Sequence, residues 1–133
     1  MTKRLAAELE GIRVEVPSNI PVMLIREIDD SRRVIPIYIG EAEASSISVA
    51  LSGVVPDRPL THDLMLNTIS EMGGEVVMVV VTDVKEHTYF ANIHIEVDGA
   101  ERVISARPSD AIALAVRADV PVAVHSGRRF RGL

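Results

Sequence analysis

Two arginine-proline pairs, each followed closely by a carboxylate, are the residues of this sequence best suited to chemistry. They lie in "RPLTHDLM", residues 58–65, and in "ARPSDAIALA", residues 106–115. Arginine can hold a phosphate by two parallel hydrogen bonds, and an imidazole that titrates near neutrality suits a general base or a metal ligand. These residue types together indicate chemistry on a phosphate ester. The candidate side chains are Arg58, His62, Asp63, Arg107 and Asp110.

Acidic residues near these arginines could bind a divalent cation, because Mg²⁺ and Mn²⁺ prefer oxygen ligands. Metal-assisted hydrolysis of a phosphodiester needs carboxylates, a cation that lowers the pKa of water, and a positive clamp on the phosphate. The predicted metal-binding or acid–base carboxylates are Glu43, Asp63 and Asp110. His62 would be a ligand or a general base, and Arg58 and Arg107 would bind the phosphate. We expect the two arginine-proline segments to converge on one cleft.

Each candidate also has a plain structural explanation. Thr61 is a favourable N-cap, and Asp63 in the first turn after it would interact with the helix dipole. His62 would then lie at the edge of the core and donate a hydrogen bond to a backbone carbonyl. Asp110 would pair with Arg107 at the start of a very apolar helix. The sequence leaves both explanations open for each residue.

The elements that must position these residues follow from the hydrophobic period. Aliphatic segments, alternating or continuous, predict seven strands, at 12–16, 22–28, 34–39, 75–84, 89–97, 102–106 and 120–124. Helical spacing predicts three helices, at 40–53, 61–74 and 108–118. Pro36 inside the third strand indicates a sheet edge or a bulge, and His94 on a polar strand face is expected to be exposed. The order βββααβββαβ predicts an α+β fold.

An internal similarity suggests that the chain contains a duplicated βββα unit. Residues 14–49 align without gaps with residues 81–116, so that strands fall on strands and helix starts fall on helix starts. Glu43 then corresponds to Asp110, and the helix at 61–74 is an insertion between the two units. We therefore predict that the two halves have the same strand order and that Glu43 and Asp110 share a cleft.

The composition limits the class of protein. A chain of 133 residues with 47% apolar residues suits one domain, with a core at about residues 9–125 and a basic, flexible tail at 126–133. The absence of cysteine excludes disulfides, thiolate chemistry and cysteine-bound zinc. A net charge of −5 counts against a protein that coats nucleic acid by charge alone. The N-terminus lacks the pattern of a signal peptide, and the longest aliphatic run is too short to span a bilayer, so a cytoplasmic protein without membrane contacts is expected.

Four segments together resemble the bifunctional nuclease domain family: "VEVPSNIPVMLIRE", "IPIYIGEAEASSI", "GVVPDRPLTHDLM" and "SARPSDAIALAVR". The resemblance covers roughly residues 9–125. It implies an α+β fold and nuclease activity on DNA and RNA. The motifs of the family fall here on Gly40, Glu41, Glu43, Arg58, Pro59, Thr61, His62, Asp63, Arg107, Pro108, Ser109 and Asp110.

The sequence thus predicts a small cytosolic nuclease that hydrolyses DNA or RNA phosphodiesters with the help of Mg²⁺ or Mn²⁺. The alternative is a non-enzymatic, oligomeric binding or regulatory module, which the acidic charge and the scarcity of aromatic side chains for stacking favour. In both cases a homodimer or larger assembly is expected. The reason is that apolar strands and the edge marked by Pro36 leave aliphatic surface and an open sheet edge.

Overall fold

A computed structural model describes residues 3–29 and 31–126 of the chain. These residues form seven strands and three helices: β1 (Arg4–Glu15), β2 (Ile20–Glu27), β3 (Val34–Tyr38), α1 (Glu41–Ser52), α2 (Thr61–Glu71), β4 (Gly74–Lys85), β5 (Thr88–Val97), β6 (Ala100–Ala106), α3 (Pro108–Ala118) and β7 (Val122–His125). The α+β class and the predicted element order are confirmed. β1 is longer than predicted, because it begins at Arg4 and continues through an irregularity between Leu9 and Gly11. The predicted basic tail lies, apart from Ser126, outside the described residues.

All seven strands belong to one mixed sheet with the order β3-β2-β1-β7-β4-β5-β6. Neighbouring strands are antiparallel except for β4 and β7, which are parallel. β3 is an edge strand, as Pro36 predicted, since a proline at an edge removes no hydrogen bond from the interior of a sheet. The last strand, β7, lies at the centre and joins two antiparallel three-stranded units.

Both three-stranded units have the same strand order, counted outward from β7. The first contains β1, β2 and β3, and the second contains β4, β5 and β6. A helix follows the outermost strand of each unit, α1 after β3 and α3 after β6. This arrangement is the one that a duplication requires. The superposition of α1 on α3 stays a prediction.

The three helices cover one face of the sheet, with α3 in contact with both α1 and α2. Residues 111–115 of α3 are all buried, because this run of aliphatic side chains packs on the sheet and on the neighbouring helices. The starts of α1, α2 and α3 carry the acidic residues predicted to be functional. None of the helices in residues 3–29 and 31–126 is long and apolar enough to cross a membrane.

The prediction that His94 is exposed is wrong. His94 lies on the sheet face opposite to the helices, yet only 3% of it is exposed, and its Nδ1 lies 3.0 Å from Oε1 of Glu101. Val80, which neighbours Val79 and Val81 of the helix-side core, is also fully buried. Long side chains such as that of Arg4 extend over this face. The guanidinium of Arg4 lies 3.7 Å from the sulfur of Met78, and Met78 on β4 lies opposite His94 on β5.

Apolar side chains remain exposed around α2 and in the loop before it. They are Val54, Val55, Leu64, Met65 and Met72. Apolar side chains that are exposed in neighbouring segments suit contact with a second copy of the chain. We expect a homodimer or larger assembly, to be measured by light scattering at micromolar protein concentration. A monomeric mass under those conditions would contradict it.

Candidate active site

The three predicted carboxylates occupy the same position in three different helices. Glu43, Asp63 and Asp110 are each the third residue of their helix, since the helices begin at Glu41, Thr61 and Pro108. A carboxylate at this position can accept a hydrogen bond from the backbone N–H of the N-cap residue and interacts favourably with the helix dipole. Their hydrogen bonds show which of them serve only the helix.

Both carboxylate oxygens of Asp63 accept hydrogen bonds that stabilise the fold. Its Oδ2 accepts a hydrogen bond from the backbone N–H of Leu60 at 3.0 Å, and its Oδ1 accepts one from Nε of Arg117 at 2.9 Å. The N-cap of α2 is therefore Leu60 and not Thr61, which corrects the predicted helix start. These contacts agree with the structural explanation of Asp63, which gives it a role in stabilising the start of α2.

Glu43 stabilises the start of its helix and also lies close to Arg107. Its Oε1 accepts a hydrogen bond from the backbone N–H of Gly40 at 3.0 Å and lies 4.0 Å from Nη1 of Arg107. This carboxylate therefore stabilises the start of α1 and also faces the arginine that the sequence assigned to phosphate binding.

Asp110 differs from the other two because all of its hydrogen bonds come from side chains. Its Oδ2 accepts a hydrogen bond from Nε of Arg107 at 2.9 Å, and its Oδ1 lies 3.2 Å from Nη2 of Arg107 and 2.9 Å from Nε2 of His62. Burial, the largest influence, raises the pKa of Asp110, but the hydrogen bonds from Arg107 and His62 and the arginine charge outweigh it and lower the pKa below its usual value. Asp110 is thus an ionised acceptor at neutral pH.

The contacts of His62 determine its tautomer. An ionised Asp110 can only accept a hydrogen bond, so Nε2 of His62 must carry the proton between them. In the neutral ring Nδ1 is then the acceptor, and it receives the hydroxyl proton of Ser46 across 2.6 Å. His62 is buried, as expected for a residue at the edge of the core, but its partners are side chains and not the predicted backbone carbonyl. Its basic atom, Nδ1, is on the side of Ser46.

Ser46 was not predicted from the sequence, although a signal was present. It lies three residues after Glu43 on α1, so both side chains are on one helix face. That face lines the cleft beside the start of α2. Helical spacing could have identified the pair, but only the packing of α1 and α2 on α3 brings Ser46 to His62.

These side chains line a cleft of about 520 Å³ between the three helix starts. Its walls combine polar and apolar residues: Ala42, Glu43, Ser45, Ser46, Val49, Leu60, Thr61, His62, Met65, Arg107 and Asp110. The predicted convergence of Glu43, His62, Arg107 and Asp110 is therefore present in the geometry. Arg58 and Asp63 are not among the lining residues, and Arg58 is exposed on the loop before α2. The volume is in the range of sites for small ligands.

The donor set fits a divalent cation through two of the three predicted carboxylates. Glu43 and Asp110 line the same cleft, whereas Asp63 does not. Both oxygens of Asp110 already accept hydrogen bonds, but a carboxylate oxygen has a second lone pair that a cation could use. Among residues 3–29 and 31–126, no group of three or more His, Asp or Glu side chains is arranged to hold a metal ion. Mg²⁺ is commonly held by only one or two carboxylates together with substrate phosphates and water, so two remain sufficient for such a site.

The lowered pKa of Asp110 predicts how stability depends on pH. The unfolded carboxyl titrates near pH 4, and the folded one titrates lower, so its stabilising effect is present above about pH 4 and is lost as the pH falls through the folded pKa. The difference in the free energy of unfolding between wild type and Asp110→Asn should therefore shrink from neutral pH to about pH 3. Urea unfolding at both pH values measures it, and an unchanged difference would contradict it.

Comparison with known proteins shows which family this chain resembles over most of its length. The family model of the bifunctional nuclease domain matches residues 23–127. An uncharacterized protein of Mycobacterium tuberculosis is 43% identical over 114 residues, which cover 86% of this chain and 67% of the relative. Bifunctional nuclease 1 of Arabidopsis thaliana is 31% identical over a match that covers 79% of this chain and 33% of the relative. Bifunctional nuclease 2 of Oryza sativa subsp. japonica is 32% identical over a match that covers 87% of this chain and 37% of the relative.

The chain thus spans about two thirds of the mycobacterial relative and about one third of the plant relatives. The matched residues include all three helix starts and the whole cleft between them. The extent of this match and the motifs within it establish that the chain belongs to the bifunctional nuclease domain family.

Proposed function

We propose that this protein is a cytosolic nuclease that hydrolyses phosphodiester bonds of DNA or RNA in the cleft between the three helix starts. The single observation that carries the proposal is the orientation of His62, whose ring is fixed between the Asp110 carboxylate and the Ser46 hydroxyl beside Arg107. The family membership and the names of the plant relatives support the same reaction.

His62 is the general base of the proposed reaction. Its Nδ1 is free of a proton, because Asp110 holds the proton on Nε2 and stabilises the charge that develops when the ring accepts a second one. A water molecule that takes the place of the Ser46 hydroxyl at Nδ1 would lose a proton to the ring as it attacks phosphorus. The bond to the leaving oxygen then breaks, and that oxygen takes up a proton from the ring or from solvent. Asp110 and Ser46 are positioning residues in this scheme, since they act through His62.

Arg107 is the proposed phosphate ligand. Its side chain is 64% exposed, so it can reach a substrate that enters from solvent. Nε and Nη2 are directed at Asp110, which fixes the plane of the guanidinium and leaves the N–H groups of Nη1 available. A guanidinium held in place by a carboxylate loses little conformational freedom when a phosphate binds. Arg58 belongs to this proposal only as a more distant contact along the substrate.

The charge of the cleft supports metal assistance. Glu43 and Asp110 carry two negative charges against the one positive charge of Arg107, and a phosphodiester adds another negative charge. In the proposed enzyme Glu43 and Asp110 would hold Mg²⁺ or Mn²⁺. When bound there, the cation would neutralise the phosphate and lower the pKa of water.

The test is a nuclease assay on purified wild type and Asp110→Asn, with Mg²⁺, with Mn²⁺ and with EDTA. Asp98→Asn is the matched control, because Asp98 is exposed in the turn between β5 and β6 with φ of 53°, a conformation that asparagine tolerates. Activity should require the cation and fall strongly in Asp110→Asn alone. Equal activity in all three proteins would show contamination and favour the alternative, an oligomeric binding module.

A further inference from the structure

A second cleft lies on the other side of Arg107 from the one that holds His62. It has a volume of about 410 Å³ and is formed where the end of β3, the turn between β4 and β5, and the starts of α1 and α3 meet. Glu43 and Arg107 line both clefts. A phosphate bound by Arg107 would therefore have the proposed catalytic base on one side and this second cleft on the other.

Aromatic residues are concentrated in this second cleft. The chain has no tryptophan and only two tyrosines, and both of them, Tyr38 and Tyr89, line it together with His87. The scarcity of aromatic side chains had favoured a protein without a stacking surface. The structure instead places both tyrosines in one cleft, next to the predicted phosphate ligand.

The two tyrosines are held in defined positions. Tyr38 is 59% exposed, and its hydroxyl donates a hydrogen bond to Oε2 of Glu15 at 2.7 Å, which anchors the far end of the ring while the rest stays accessible. Tyr89 is half-buried and packs against the hydrophobic core. A ring that is already ordered loses little side-chain entropy when a flat ligand stacks on it.

We propose that this second cleft is a nucleobase subsite, in which a base of single-stranded nucleic acid stacks on the tyrosines while Arg107 binds the adjacent phosphate. The inference rests on the proposed function, because it uses the same arginine and the same class of substrate. It adds the requirement that the nucleotide be unpaired. In a duplex each base is stacked between its neighbours and cannot enter a cleft, whereas in a single strand it can turn outward and stack on an aromatic ring.

The tyrosines and Arg107 would bind different parts of a nucleotide in this cleft. Stacking on an aromatic ring is tolerant of sequence, because every base has a flat π-face. The guanidinium of Arg107 binds the phosphate whether or not a base is attached to the sugar. The base and the phosphate therefore contribute separately to affinity, and an oligonucleotide that lacks bases separates them.

The experiment measures binding by the full chain of three phosphorothioate oligodeoxynucleotides, which resist cleavage: a single-stranded deoxyadenylate tetramer, the abasic tetramer, and a blunt duplex. Fluorescence anisotropy gives the affinity. Tyrosine emission reports the location, because Tyr38 and Tyr89 are the only tyrosines and tryptophan is absent. The deoxyadenylate tetramer should bind about tenfold more tightly than the abasic tetramer and the duplex, and it should quench the emission.

Substitutions assign the effect to the cleft. Tyr38→Leu should weaken binding of the deoxyadenylate tetramer about tenfold and leave the abasic tetramer unchanged. Phe90→Leu is the matched control, because Phe90 is also exposed and follows Tyr89 directly but does not line the cleft. Tyr89→Leu keeps apolar bulk against the core and provides a second variant.

The outcomes separate this inference from the proposed nuclease activity. Equal affinity for the deoxyadenylate and abasic tetramers, or equal effects of Tyr38→Leu and Phe90→Leu, would overturn the base subsite even if the protein cleaves nucleic acid. A preference for bases that depends on Tyr38, in a protein without hydrolytic activity, would support the subsite and overturn the nuclease proposal. If none of the three oligonucleotides binds, both proposals are wrong.

Discussion

Replacing His62 by glutamine should reduce the rate of phosphodiester hydrolysis by about 10²- to 10⁴-fold, the range expected when a general base is lost. The amide of glutamine can still donate a hydrogen bond to Asp110, so the local packing is largely kept. It cannot accept a proton at neutral pH, and this is the property that the proposed mechanism requires. The measurement is the rate on a single-stranded oligonucleotide at saturating substrate.

Two further variants are needed to interpret a loss of hydrolysis rate in His62→Gln. Ser46→Ala removes one orienting hydrogen bond from Nδ1 and should cost much less activity than the loss of His62. A loss as large as that of His62→Gln would identify Ser46 as the nucleophile instead of water. His125→Gln, at the end of β7 and away from both clefts, should have wild-type activity. A rate in His62→Gln close to that of this control would exclude His62 as the base.

The sequence was sufficient to predict the fold class, because the alternating and continuous aliphatic segments and the helical spacing fall in the order βββααβββαβ. Pro36 located an edge strand, and the aliphatic run in α3 located a fully buried helix. The central position of β7 could not be predicted, since a short strand of four residues carries no information about its neighbours. That position decides how the two βββα units face each other and so brings the helix starts together.

The sequence alone could not show which of the three candidate acids has a functional contact. Glu43, Asp63 and Asp110 occupy equivalent helix positions and look alike in the sequence. Only their partners separate them: Glu43 and Asp63 each accept a hydrogen bond from a backbone N–H group, and Asp63 also accepts one from Arg117, whereas the hydrogen bonds of Asp110 all come from side chains. These partners come from other elements, and local periodicity does not determine which helix packs beside which.

The burial of His94 has a related cause. Alternation along β5 correctly placed His94 on the face away from the helices. Whether that face is open depends on side chains of other strands that extend across it, such as Arg4 beside Met78. Period-two patterns predict which side of a sheet a residue occupies, but not how much of that side is covered.

Arg117 is the residue with the largest expected effect on stability, and the sequence did not single it out. Only 7% of its side chain is exposed. Nε donates to Asp63 at 2.9 Å, Nη1 to the carbonyl of Ala113 at 3.0 Å, and Nη2 to the carbonyl of Ser46 at 3.1 Å. One guanidinium therefore ties α1, α2 and α3 together directly behind the proposed active site.

Arg117→Met should lower the free energy of unfolding by about 3 kcal/mol, because the buried guanidinium is the partner of Asp63 and of the backbone carbonyls of Ala113 and Ser46. Arg107→Met is the matched control, since Arg107 also pairs with an aspartate but is largely exposed, and its loss should cost no more than about 1 kcal/mol. Urea unfolding of both variants at neutral pH measures the difference. Arg117→Met should also reduce nuclease activity under conditions in which the protein is still folded, because Arg117 contacts the backbone of Ser46 and the aspartate next to His62. Equal stability losses in the two variants would show that burial of Arg117 does not determine its contribution.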